Sequence, residues 1–133
     1  MENRNPESEE KALQVIDQFV ACINAMDHDG HARQLSFPHV RIANGEVRVW
    51  KDVEELGQDY LPMHAKPLEP GWVRSVFEKN EIIHSSEDKV HVAIQCVRYN
   101  QKGTALTTFE AVYVVTCVDG RWGIQARSSF APW

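Results

Sequence analysis

The sequence predicts an α+β domain in which three N-terminal helices close over a curved antiparallel sheet to make a conical pocket. Two observations carry this. Helical periodicity is confined to the first half of the chain, whereas almost everything from Trp72 to Phe130 has the pattern of strands. The breaks between those strands, Ser85-Ser86-Glu87-Asp88, Asn100-Gln101-Lys102-Gly103 and Asp119-Gly120, are short turn clusters that suit hairpins and leave no room for crossover helices. Helices first and strands last put the helices on one face of a single sheet.

The elements follow in order. Asn5 can cap a helix with Pro6 at its first position and Glu7, Glu9 and Glu10 near its positive end. Ala12, Ile16, Phe19, Val20, Ile23 and Met26 then repeat at helical spacing and form one buried stripe opposite Lys11, Gln14 and Gln18. After Asp27-His28-Asp29-Gly30 a shorter helical piece is expected over about residues 31–35, and Phe37-Pro38 turns the chain to extended backbone. Val40-Arg41-Ile42 and Val47-Arg48-Val49 alternate apolar with charged around Asn44-Gly45, the signature of a two-residue hairpin. Asp52 offers the cap of a third helix with Val53, Leu56, Tyr60 and Leu61 inward, ended by Pro62. Residues 62–71 form a loop broken by Pro62, Pro67, Pro70 and Gly71, and a four-stranded meander completes the chain.

The 133 residues suit one domain spanning 1–133, enough to bury roughly two-thirds of the unfolded surface. A net charge of -5, with 14 scattered Lys and Arg, gives no footprint for a phosphate backbone, so nucleic acid is not an expected partner. Cys22, Cys96 and Cys117 are odd in number, far apart and without a CxxC, which points away from a disulfide framework or zinc site and towards reduced thiols in the cytoplasm. No apolar run approaches the roughly 20 residues of a membrane span, and an acidic helix follows Met1-Glu2-Asn3-Arg4 where a signal segment would be apolar. No membrane association is expected.

If Asp119-Gly120 is a two-residue loop, Val118 faces Arg121 and the rest of the last hairpin follows in register. One face then carries Phe109, Ala111, Tyr113, Val115 and Cys117 opposite Phe130, Ser128, Ala126, Ile124 and Trp122. The other carries Glu110, Val112, Val114 and Thr116 opposite Ser129, Arg127, Gln125 and Gly123. Valines on both faces suggest cover on both sides, by helices on one and by a second copy of the chain on the other, so a homodimer through the outer sheet face is expected.

The segment from Phe19 to Gly30, FVACINAMDHDG, resembles the first-helix signature of the NTF2-like superfamily, which includes ketosteroid isomerases and SnoaL-like cyclases. Asp119-Gly120-Arg121-Trp122-Gly123-Ile124 is similar to that superfamily's final hairpin, and the runs 37–42 and 126–130 resemble an uncharacterised SnoaL-like subgroup. The resemblance covers nearly the whole chain and implies the cone fold, a mixed, mainly antiparallel sheet around a pocket. It fixes function poorly, because one scaffold hosts unrelated chemistries. A gapless alignment from the first-helix signature puts the isomerases' tyrosine at Phe19 and their base aspartate at Ala43, neither of which can do that chemistry. The familiar steroid isomerisation is therefore not expected.

Other residues are candidates for the pocket. His39 and Arg41 alternate on one face of the first strand, where an imidazole and a guanidinium could meet an anionic or carbonyl-bearing ligand. The alternative is that Val40 and Ile42 fill the core and His39 and Arg41 face solvent. Glu110 and Arg127 fall diagonally across the last hairpin, with Ser129 opposite Glu110, as an ion pair or as ligand-binding groups. Tyr60 and Trp72 could line the mouth, with Met63 and His64 nearby. His28 and His31 lack a third ligand and suit a surface turn; neither metal nor cofactor is expected. Nothing in the sequence supports a site at His84 and His91.

Three functions fit these residues. The first is cofactor-free binding of a small, partly apolar and possibly charged molecule, anchored by His39, Arg41 and Arg127. The second is an isomerase, cyclase or hydrolase with His39 as general acid or base and an arginine stabilising an oxyanion. The third is a non-catalytic dimerisation module whose cavity has collapsed.

Overall fold

The computed structural model describes residues 4–63 and 67–132; His64 lies outside the described residues, as do the side chains of Leu61 and Met63. The element order is α1 (Pro6–Ala25), α2 (His28–Arg33), β1 (Leu35–Ala43), β2 (Glu46–Trp50), α3 (Val53–Met63), β3 (Arg74–Ser85), β4 (Lys89–Tyr99), β5 (Ala105–Val118) and β6 (Arg121–Ser129). The six strands form one sheet in the order β2-β1-β6-β5-β4-β3. Every neighbouring pair is antiparallel except β1 and β6, which run parallel and join the N-terminal hairpin to the meander. This is the expected α+β architecture, with the helices against the sheet's inner face.

Local sequence explains the helix starts. The Asn5 side chain accepts a hydrogen bond from Ser8 N at 3.1 Å, and Asp27 and Asp52 do the same for Gly30 N and Glu55 N at 2.9 and 3.0 Å. Each satisfies a donor that the first helical turn leaves open. Because Asp27 is the cap, α2 begins about three residues earlier than the periodicity suggested. Helix α3 continues one residue past Pro62, where the lost N–H costs a single bond in the last turn. Val53 is half-exposed, while Leu56 and Tyr60 are buried as expected.

The glycine at position 30 sits where α1 and α2 meet. A Cβ there would collide with the Asp27 carboxylate and lie 2.7 Å from Cys22 Sγ. Gly30→Ala therefore displaces the α2 cap, and we expect it to lower stability by about 1–3 kcal/mol in a urea titration. An unchanged midpoint would mean that α2 shifts freely.

The core lies between α1 and the sheet. Ala12, Ile16 and Phe19 from α1 are fully buried against Val90, Val92 and Ile94 of β4, Ala111, Tyr113 and Val115 of β5, and Ile124 of β6. At the far end of α1, Asn24 is tied to edge strand β3 in both directions, donating to Ser75 O at 2.9 Å and accepting from Ser75 N at 2.7 Å.

The two predicted turns form as expected. Asn44 and Gly45 both take positive φ and bring Ala43 opposite Glu46; Asp119 and Gly120 likewise set Val118 opposite Arg121. Further along the last hairpin the expected register fails. Val115 pairs Ile124, but Val114 pairs Ala126, so Gln125 is an extra residue, a β-bulge. Its side chain holds the bulge, accepting from Thr116 Oγ1 at 2.8 Å and donating to the Pro38 carbonyl. Beside it, Gly123 leaves room for β1: a Cβ there would collide with Ser36 Oγ and lie 3.2 Å from Ser36 N.

One inserted residue exchanges the two faces of everything after it. Tyr113 faces Arg127 and Ala111 faces Ser129, not Ala126 and Ser128 as the unbulged register required. Arg127 is buried, whereas Phe130, expected on the apolar face, is 78% exposed. The proposed Glu110–Arg127 pair is not formed: Glu110 is exposed on the outer face and Arg127 points inward.

Candidate functional site

The helices do not fill the inner concavity completely. A cavity of about 70 Å³ remains, room for several waters or a small organic group, walled by α1, α2 and α3 on one side and β1 and β3 to β6 on the other. Phe19 and Ile23 come from α1, His31 from α2 and Tyr60 from α3; Phe77, Cys96, Arg98, Phe109, Tyr113, Arg127 and Ser129 come from the meander.

Of the seven residues singled out in the sequence, five line this cavity: Arg41, Tyr60, Trp72, Arg127 and Ser129. His39 and Arg41 do share the inner face of β1, and Val40 and Ile42 lie on the outer one, so strand alternation assigned the wall correctly. Glu110 does not reach the cavity. Trp72 is buried, with its indole N–H donating to Ser75 Oγ at 3.0 Å.

Arg127 organises the inner end. Its Nε donates to His39 Nε2 at 3.0 Å and its Nη1 to the Tyr60 hydroxyl at 3.0 Å. The guanidinium carbon lies 5.1 Å from the Tyr60 ring centre and 5.4 Å from that of Phe19, within cation–π range. The Tyr113 hydroxyl lies close to the same group. Burial opposes the charge on Arg127, but the oxygens of Tyr60 and Tyr113 outweigh it and the pKa rises, so the residue stays cationic. Its Nη2 is buried with no hydrogen-bond partner among the described residues.

Arg41 is the register partner of Arg127 on the adjacent parallel strand, and its guanidinium carbon lies 5.9 Å from the same Tyr60 ring. Burial, with the positive charge of Arg127 also acting, lowers its pKa. Arg98 differs. It pairs with Glu69 at 3.4 Å, both side chains being nearly buried, and Glu69 is held in turn by Thr107 Oγ1 at 2.9 Å. Among the described residues lining the cavity there is no carboxylate, and none pairs with Arg41 or Arg127.

His39 stands behind this constellation. It is fully buried, with Nδ1 2.8 Å from the Ile124 carbonyl and Nε2 taking the Arg127 hydrogen bond. The ring must therefore carry its proton on Nδ1. Burial, reinforced by the Arg127 charge, pushes its pKa down to about 3. Both ring nitrogens are thus engaged within the protein, and His39 is not among the described residues lining the cavity; the neutral imidazole supports Arg127.

The His39 pKa is lowered from about 6.5 in the unfolded chain, so between pH 6.5 and about 3 the unfolded state binds the extra proton and folding stability falls as pH falls. At pH 5 the contribution is about 2 kcal/mol of lost stability relative to pH 7.5. Thermal unfolding of the parent and of His39→Gln at both pH values checks this: the variant should lose that part of the acid sensitivity, and parallel pH profiles would contradict it.

His31, Arg98 and Tyr113 were not anticipated in the cavity. The structure puts His31 in contact with Phe19, ring centres 4.7 Å apart, and buries it, which overturns the surface-turn reading for His31. Arg98 could have been found, because it continues the inward alternation of Val90, Val92, Ile94 and Cys96. Tyr113 lies on the inner face that the strand alternation predicts, and there it is both core and cavity wall.

The match to known families now adds to the geometry. Residues 8–129 match a family model described as NTF2-like protein (DUF6841). The chain belongs to this NTF2-like family. No curated protein matches it. Among solved structures, an NTF2-like protein of unknown function from Shewanella oneidensis superposes with a TM-score of 0.74 at 19% identity, covering 92% of this chain and 98% of that one. A protein of unknown function with a cystatin-like fold from Nostoc punctiforme gives 0.78 at 14%, covering 98% and 94%. The association domain of the C. elegans CaMKII gives 0.72 at 13%, covering 95% and 97%. At these identities the likeness is one of fold. The NTF2-like chain has, among its described residues, no helix long and apolar enough to cross a membrane.

Proposed function

We propose that this NTF2-like protein binds a small, partly apolar anion in its cavity, without a cofactor. The observation that carries the reading is the buried Arg127, whose Nη2 lacks a partner beside a cavity lined by aromatic rings and, among the described residues, by no acid. A buried cation without a counter-ion costs several kcal/mol, a cost that an anionic ligand offsets. With His39 shielded and no carboxylate in the described lining, binding is favoured over acid–base catalysis. Thermal shift with sodium salts of small organic acids beside their uncharged amides tests it. A ligand at 100 times its Kd should add about 2.7 kcal/mol of stability. If no acid in the set raises the melting temperature, the reading is wrong.

A homodimer through the outer sheet face is the second part of the proposal. Ile42 pairs Val47 and Val40 pairs Val49, and the run continues across Ala126 to Val114 and across Ser128 to Val112. Ile42, Val47, Val49 and Val112 are 38–68% exposed, a contiguous apolar patch of the kind that marks an interface. The CaMKII domain of the same fold is named for association, which agrees with this use of the scaffold. Sedimentation equilibrium should give twice the monomer mass, and Val47→Glu should return it to the monomer. A monomeric parent protein would refute the seam.

A further inference from the structure

The donors at the inner end discriminate between kinds of anion. Arg127 cannot offer its side-on fork, because Nε is engaged by His39; Nη1 also donates to Tyr60, which makes Nη2 the nitrogen open to a ligand oxygen. The next cation is Arg41, on the neighbouring strand in direct register, over the same tyrosine ring. Two arginines on neighbouring strands thus stand over one tyrosine ring, an arrangement that suits a planar group whose two equivalent oxygens are shared between them.

Charge points the same way. Arg127 is the deeply buried cation and needs one negative charge; Arg41 is only partly buried and shares its field with solvent. The third cation, Arg98, already has Glu69 as its counter-ion. A phosphate monoester would bring a third oxygen and nearly a second charge, and the cost of desolvating an ion rises with the square of its charge. The remaining donor close to Arg127 is a neutral hydroxyl, since burial pushes Tyr113 up to about 12. Around it Phe19, Phe77 and Tyr113 stand edge to face, with ring centres 5.8 and 5.9 Å apart, an arrangement whose faces and edges accept another flat ring.

We propose that the cavity takes a planar aryl monocarboxylate, its two oxygens divided between Arg127 and Arg41 and its ring among Phe19, Phe77 and Tyr113. This rests on the anion-binding reading above and narrows it to one chemical class.

The test uses the full chain and matched probes: benzoate, phenylacetate and cinnamate, their amides, phenyl phosphate, and cyclohexanecarboxylate as the non-planar acid. Nitrogen-15 NMR titration gives each Kd, with the Arg127 Nε–H resonance as the local reporter. The expected result is that at least one aryl carboxylate shifts that resonance and binds at least about tenfold tighter than its amide, than phenyl phosphate and than cyclohexanecarboxylate. Arg41→Gln, at a partly exposed position that leaves the core intact, should weaken that carboxylate by about tenfold and leave the amide unchanged.

If phenyl phosphate binds best, the carboxylate inference falls while anion binding stands. Tightest binding by cyclohexanecarboxylate removes the planar ring. Amides that bind as well as acids, with no response to Arg41→Gln, overturn both readings, and so does a set in which nothing moves the Arg127 resonance.

Discussion

Arg127→Met is expected to abolish binding of organic anions while leaving the empty protein as stable as the parent, or more so. Removing one partner of a buried charge pair in a complex costs about 2–5 kcal/mol of affinity. In the free protein the sign is opposite. The guanidinium has given up its hydration for two hydrogen bonds to neutral groups and two ring contacts, with no carboxylate among the described residues to compensate. Methionine replaces the arginine's aliphatic stem, carries no charge and adapts to irregular gaps. The His39 Nε2 it leaves open borders the space that the guanidinium vacates, where a water can replace the lost hydrogen bond. Calorimetry of the two proteins with and without benzoate would separate the effects. Binding retained by the variant would remove Arg127 from the site, and a large loss of stability would make it a structural residue instead.

The second large effect is on the fold. Phe19→Ala should destabilise the protein by about 3–5 kcal/mol, because the ring is fully buried and its removal leaves a void that the sheet cannot collapse into. For a domain of this size that is roughly a 10–20 °C fall in Tm. The ring packs on His31 and Tyr113 and under the Arg127 guanidinium, so the same substitution should also loosen the inner end of the cavity. A fall of only a few degrees in scanning calorimetry would mean that α1 moves in to refill the space.

Much of the architecture was legible because local chemistry and tertiary structure agree. Asn5 and Asp52 cap the helices they precede, Asn44-Gly45 and Asp119-Gly120 make the turns that positive φ permits, and the Ala12, Ile16, Phe19 stripe is the core face of α1. The alternation of His39 and Arg41 put both on the inner wall. Depth within the wall was not legible. Two residues apart on one strand, Arg41 reaches the cavity and His39 is sealed behind Arg127, a difference made by packing against Trp50 and the Ile124 carbonyl.

The failures share one cause, an irregularity set by a neighbouring strand rather than by the residues themselves. Gln125 carries no bulge signal of its own. It bulges where β1 passes, at the irregular stretch between Leu35 and Val40, and its side chain bridges Thr116 and Pro38. Everything assigned by counting from Asp119-Gly120 was right as far as Ile124 and inverted beyond it. The Glu110–Arg127 pair was lost for that reason, while Arg127 and Ser129 entered the cavity. His31 was missed because Asp27 starts α2 early and turns the imidazole inward against Phe19.

The extra residue in β6 also bears on how such a protein can change. Shortening the strand by one position near 125 would carry Ser128 and Phe130 indoors and move Arg127 and Ser129 to the outer surface, altering both the cavity's charge and the seam's polarity without substituting any of these side chains. In a scaffold of this kind, the length of one strand is as much a determinant of ligand preference as the identity of any residue on it.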